Sequence, residues 1–120
     1  LYIENSEFFA DSLYYTDTVL TTTLDDVVTR NNITDIDVVK LDVQGSEKDI
    51  ITGGINVITK AKFLIIELQV TEYNMGSPSY LDITNMLATL GFVLKDIIEL
   101  HYDVDGGLTQ YDAVFENNRI

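Results

Sequence analysis

Short apolar runs alternate with polar punctuation along this chain, and their spacing predicts its elements. Asp37 to Val43 gathers Val38, Val39, Leu41 and Val43 with little polar relief, the pattern of a strand covered on both faces in a parallel sheet. Phe63-Leu64-Ile65-Ile66 is a second such run and ends in Glu67. Between the two, Ser46 stands as the cap of a helix carrying Ile50 and Ile51, Gly53-Gly54 interrupts it, and Ile55 to Lys60 resumes it. Ser77 with Pro78 at the first helical position opens the clearest helix; its stripe is Leu81, Ile83, Met86, Leu87 and Leu90, and Gly91 closes it. Upstream, Thr23 followed by Asp26 predicts a short capped helix over Leu24 to Arg30, and residues 1–23 read as extended. Phe92 to Tyr102 and Gln110 to Glu116 read as two closing strands, joined by the turn chemistry of Asp103-Val104-Asp105-Gly106-Gly107.

The resulting order is strand, helix, strand, helix, strand, strand. Crossovers that contain helices join parallel strands with a right-handed sense, whereas the short last connection makes the final strand antiparallel to its neighbour. The expected fold is α/β, a mixed sheet with parallel strands and a C-terminal antiparallel hairpin. No linker, repeat or low-complexity segment divides it, so residues 1–120 count as a single domain.

Charge narrows the partners. Twenty acidic against seven basic residues give a net charge of −13, a field that repels polyanions, so neither nucleic acid nor an anionic membrane is expected as a partner. No apolar run approaches the roughly 18 residues of a membrane span. The N-terminus has no basic region, and Glu4 and Glu7 interrupt its apolar stretch, so no signal peptide is expected there. The chain has no cysteine, which excludes disulfides, zinc–thiolate sites and a cysteine nucleophile. A cytoplasmic location fits these features.

In an open α/β sheet, ligands bind beyond the carboxyl ends of the strands. Two such ends carry acids here: Asp42 in Lys40-Leu41-Asp42-Val43-Gln44-Gly45, and Glu67 in Ile65-Ile66-Glu67. A carboxylate after several apolar residues must face solvent, a ligand or a hydrogen-bond partner, because burying it unpaired is costly. If the two strands are neighbours, Asp42 and Glu67 share one rim. The plain alternative is that both merely accept backbone N–H bonds from adjoining loops. Gly45 permits a sharp turn or a close approach to a ligand. Glu47 sits in the first turn of the following helix, where the helix dipole favours a negative charge.

The segment Val39 to Glu47 resembles the signature of the FkbM methyltransferase family: a strand reading K-[IL]-D, then a small residue, Glu or Gln, Gly, any residue and Glu. Other segments resemble that family in the same order. They are Thr21-Thr22-Thr23-Leu24-Asp25-Asp26, Gly53-Gly54, Ile65-Ile66-Glu67 followed by Tyr73 and Gly76-x-Pro78, Leu90-Gly91-Phe92, and Gln110-x-Asp112-Ala113-Val114-Phe115. The resemblance implies part of a class I methyltransferase fold, Rossmann-like and three-layered, with Asp42 ending its fourth strand and Glu67 its fifth. It further implies S-adenosylmethionine as cofactor and a hydroxyl of a sugar or secondary metabolite as acceptor, a small molecule or glycan. Asp42 and Glu67 become the candidates for a catalytic or acceptor-orienting role, and Gln44, Glu47 and Tyr73 for acceptor contact. The chain departs from the family in having no Gly-x-Gly segment, which a methyltransferase cofactor turn requires. It therefore reads as the C-terminal half of the domain, expected to be inactive alone, and either a fragment or a remnant with another task.

Other features carry less. His101, the single histidine, reads as an ordinary strand residue in preference to an acid–base group. Asp103, Asp105 and Gly106 echo a calcium loop but lack the remaining ligands, and Asp42 with Glu67 offers too few oxygens for a cation, so no metal site is expected. Asn32-Ile33-Thr34 matches a glycosylation sequon, which short chains meet by chance. A truncated sheet exposes the edge of strand 37–43, and such edges drive self-association, so a homo-oligomer is expected. The competing reading is a non-catalytic α/β binding or oligomerisation module.

Overall fold

The computed structural model describes residues 3–4, 17–72 and 74–120. Its elements are β1 (Ile3–Glu4), α1 (Leu24–Arg30), β2 (Val38–Leu41), α2 (Glu47–Gly53), α3 (Ile55–Ile58), β3 (Phe63–Gln69), β4 (Asn74–Met75), α4 (Tyr80–Thr89), β5 (Phe92–Tyr102) and β6 (Leu108–Asn117). The two apolar runs do become parallel neighbours, with Leu41 of β2 opposite Ile66 of β3. β6 pairs antiparallel with both β3 and β5, giving the order β2-β3-β6-β5. β3 and β5 thus point the same way, as their helical crossover requires, but the returning strand lies between them. A separate antiparallel pair joins β1 to β4. Two residues a side are too few for a sequence pattern to reveal. Asp17 to Thr23, expected to be extended, forms no regular element.

Leu64, Ile66 and Leu68 alternate onto one face of β3, and the ladder sets Phe115, Ala113 and Tyr111 of β6 beside them. Leu41, Ile51, Ile58, Ile83, Leu87 and Phe92 complete this buried cluster. Helices α2, α3 and α4 therefore cover one and the same face. Topology dictates this. Both crossovers step across the sheet in the same direction, and right-handed connections then place their helices on the same side. Among the described residues the fold is a sheet under one helical layer, two layers where three were expected.

Several local expectations need correction. β2 is an edge strand with Val38 half exposed and only Leu41 buried, because β3 is its one neighbour among the described residues. It is not covered on both faces. α4 opens at Ser79, two residues later than the Ser77-Pro78 signature predicts. Ser79 Oγ accepts from Asp82 N, and the Asp82 carboxylate accepts from Ser79 N, a reciprocal capping box. Leu81 consequently faces outward, and Ile83 and Leu87 supply the buried stripe. α1 begins after Thr23, whose hydroxyl accepts from Asp26 N at 3.1 Å, as the sequence predicts.

The helix interruption at Gly53-Gly54 has a packing reason. A Cβ on Gly54 would stand 2.8 Å from Leu24 Cβ and 3.0 Å from Ile50 O, so only glycine lets α1 lie against this break. Asp25 of α1 then holds the start of α3, accepting from Val57 N at 3.0 Å and from Asn56 N and Nδ2 at 3.2 and 2.8 Å. The outer strand β5 leaves Val93, Leu94, Ile97, Ile98 and Leu100 exposed. Among the described residues no helix is long and apolar enough to cross a membrane.

Candidate functional site

The carboxyl ends of β2, β3 and β5 and the start of antiparallel β6 share one rim. β2 stops at Leu41 because its ladder to β3 ends at the Leu41–Ile66 rung. Asp42 is the next residue, and Glu67 follows Ile66, so the two acids stand at neighbouring positions on adjacent strands. Their surroundings differ sharply. The Asp42 side chain is 51% exposed and forms an ion pair with Lys40 Nζ at 3.3 Å. Glu67 is 8% exposed, because β3 continues to Gln69 and β6 pairs along its whole length.

Glu67 Oε2 accepts from Gln110 Nε2 at 2.9 Å, whereas Oε1 is buried with no hydrogen-bond partner. Burial, first, holds this carboxyl above its ordinary range, and the nearby carboxylates of Asp42, Asp112 and Glu47 push it further, with His101 opposing. Asp112 is the rung partner of Glu67 on β6 and is 7% exposed. His101 of β5 lies opposite Gln110, with Glu99 Oε1 at 3.5 Å from its Nε2. One ligand atom from each of Glu67, His101 and Asp112 falls within 4.8 Å of the other two.

The turn from β2 into α2 places Gln44 and Gly45 at φ of +52° and +116°. Two successive left-handed residues fold the chain back sharply, a conformation glycine adopts freely and glutamine at a cost. Ser46 is the N-cap by position but makes no capping bond. Glu47 closes the turn instead: both of its carboxylate oxygens accept from Gly45 N, at 3.1 and 2.9 Å, and the side chain is 3% exposed. Gln44 is exposed beside it. Tyr73 lies outside the described residues.

Beyond the carboxyl end of β3 a cleft of about 290 Å³ is lined by Gln69, Thr71, Glu72, Ser77, Ser79 and Asp82, among others. Gln69 Oε1 accepts from Ser77 Oγ at 3.0 Å, and its Nε2 is buried without a partner. Sequence reasoning leaves Gln69 and Asp112 unmarked as site candidates and reads His101 as an ordinary strand residue. Gln69 carries no signal of its own there, and the other two meet Glu67 only because β6 inserts between β3 and β5.

A family model described as "Methyltransferase FkbM domain" matches residues 3–94. No curated protein and no solved structure matches the chain.

Proposed function

Because this chain belongs to the FkbM methyltransferase domain family, we propose that it is the acceptor-side half of an S-adenosylmethionine-dependent O-methyltransferase. The acceptor is a hydroxyl of a sugar or secondary metabolite. One observation carries the reading: an open carboxylate, Asp42, and a buried one, Glu67, stand side by side where adjacent parallel strands end. The sheet order, with its antiparallel strand inserted next to last, is consistent with the second half of a Rossmann-like methyltransferase sheet. The β2 edge, unpaired among the described residues, is where the strands of a cofactor-binding half add.

The residues here do not fit the cofactor on their own. The sequence has no Gly-x-Gly turn. At the glycine-bearing turn after β2, the Gly45 N–H that an anionic ligand group would take is already held by Glu47. What this chain supplies is the acceptor side. Asp42 anchors the acceptor hydroxyl or takes its proton, a task worth about 10²–10⁴ in rate when a base is correctly placed. Gln44 contacts the acceptor from the turn that Glu47 shapes, and the cleft at Gln69 receives its polar groups. Tyr73 is kept as an acceptor contact on the resemblance alone.

The second reading is an oligomerisation module, favoured by the exposed apolar residues of β5. Self-association through the free β2 edge belongs to both readings. Calorimetric titration of S-adenosylmethionine into the 120-residue chain separates the half-site from a complete one. No saturable heat is expected, and tight binding by this chain alone would overturn the half-site assignment.

A further inference from the structure

Two buried carboxylates face each other across the β3–β6 ladder. Glu67 and Asp112 are direct rung partners, and like charges placed opposite one another on a sheet repel. Yet Glu67 Oε1 has no hydrogen-bond partner, and among the described residues no donor reaches the Asp112 carboxylate. A cation between the two would balance both charges and give Glu67 Oε1 a partner. His101 closes the group from the third strand, with one ligand atom of each residue within 4.8 Å of the others. All three side chains project from ladder-paired positions, so the backbone holds them in place without help from a loop.

We propose that Glu67, Asp112 and His101 bind one divalent transition-metal cation. Two carboxylates balance its charge, and an imidazole nitrogen beside them selects zinc- or iron-type ions over calcium and magnesium, which favour all-oxygen shells. Metal–ligand bonds of about 2.0–2.2 Å set donor atoms roughly 3–3.5 Å apart. The side chains therefore draw inward by about 1 Å from their present spacing, which small rotamer changes supply. Gln110 Nε2 already fixes Glu67 Oε2, an outer contact of the kind that orients metal ligands. If the cation takes Nδ1 of His101, Glu99 holds the other ring nitrogen; if it takes Nε2, Glu99 becomes a fourth donor within reach. The 39% exposure of the His101 side chain leaves the group reachable from solvent. The inference rests on these three side chains and not on methyl transfer.

His101 is the only histidine, so its imidazole Cε1–H resonance reports on this site unambiguously. The chain is stripped with chelator, exchanged into buffer at fixed neutral pH, and titrated with zinc chloride by proton NMR and calorimetry. One equivalent of zinc is expected to move the imidazole resonance, with a saturable heat of the same stoichiometry. Glu67→Gln and Asp112→Asn keep side-chain shape while removing charge, and each is expected to weaken binding at least about tenfold. The exposed control Asp35→Asn is expected to bind as the parent chain does. An unmoved resonance under excess zinc would overturn the proposal. So would a shift with only non-saturating heat, or a site that survives in both amide variants, since each means adventitious binding by a strongly acidic surface.

Discussion

At the scale of single residues, position and environment separate acids that look alike in the sequence. Asp42 and Glu67 both follow apolar runs, and the cost of burying a lone carboxylate is enough to mark them as special. Which one is buried is not legible, because the cover over Glu67 comes from β6, far along the chain. Glu47 shows the same limit. Its place in the first helical turn explains a favourable charge, but not the two hydrogen bonds it takes from Gly45 N. Glu47→Ala leaves that buried N–H unsatisfied and is expected to cost about 1–3 kcal/mol, with Glu47→Gln costing less because one acceptor oxygen remains. Urea denaturation of the three proteins measures this. An unchanged midpoint for Glu47→Ala would show that the turn does not depend on the carboxylate.

At the scale of elements, periodicity locates the helices and most strands, and local chemistry fixes a helix start where the capping hydrogen bonds can form. Thr23 is the N-cap the sequence predicts, although Thr22-x-x-Asp25 offers the same spacing one residue earlier. Before α4, Ser77-Pro78 and Ser79-x-x-Asp82 compete within a few residues, and the reciprocal box won because both of its hydrogen bonds can form at once. The Asp82 carboxyl is held below its ordinary range, first by the Ser79 backbone N–H and then by the Ser79 hydroxyl. An acid with a lowered folded pKa adds stability above its unfolded value, near 4, and loses it as pH falls through the folded value. Ser79→Ala is accordingly expected to cost about 1 kcal/mol near neutral pH. The gap from the parent chain should narrow in acid, as pH falls through the lowered value at which Asp82 protonates. Melting curves at both pH values test it, and a gap that widens in acid would contradict the capping account.

At the scale of the whole molecule, strand directions followed from the crossovers, but strand neighbours did not. A hairpin says that β6 lies beside β5 and leaves open which strand takes its other edge. Pairing with β3 gives β6 two ladders instead of one, and that choice brings Asp112, and His101 across it, up to Glu67. The rim of Asp42 and Glu67 was therefore legible as soon as two buried-looking strands were joined by a helical crossover, whereas the three-residue group behind it was not. The same topology sets α2, α3 and α4 on one face and, among the described residues, leaves β2 as an edge beside Asp42. The function proposed above sets the acceptor against the Asp42 carboxylate at this edge.

Methyl transfer tests that arrangement most directly. A polypeptide in which a glycine-rich cofactor-binding half from the same family precedes these residues is assayed with labelled S-adenosylmethionine over a panel of hydroxylated sugars and small metabolites. Transfer by the joined protein is expected, with a fall of about 10²-fold or more for Asp42→Asn and none by the 120-residue chain alone. Transfer at the parent rate by Asp42→Asn would contradict the placement of the acceptor at this rim.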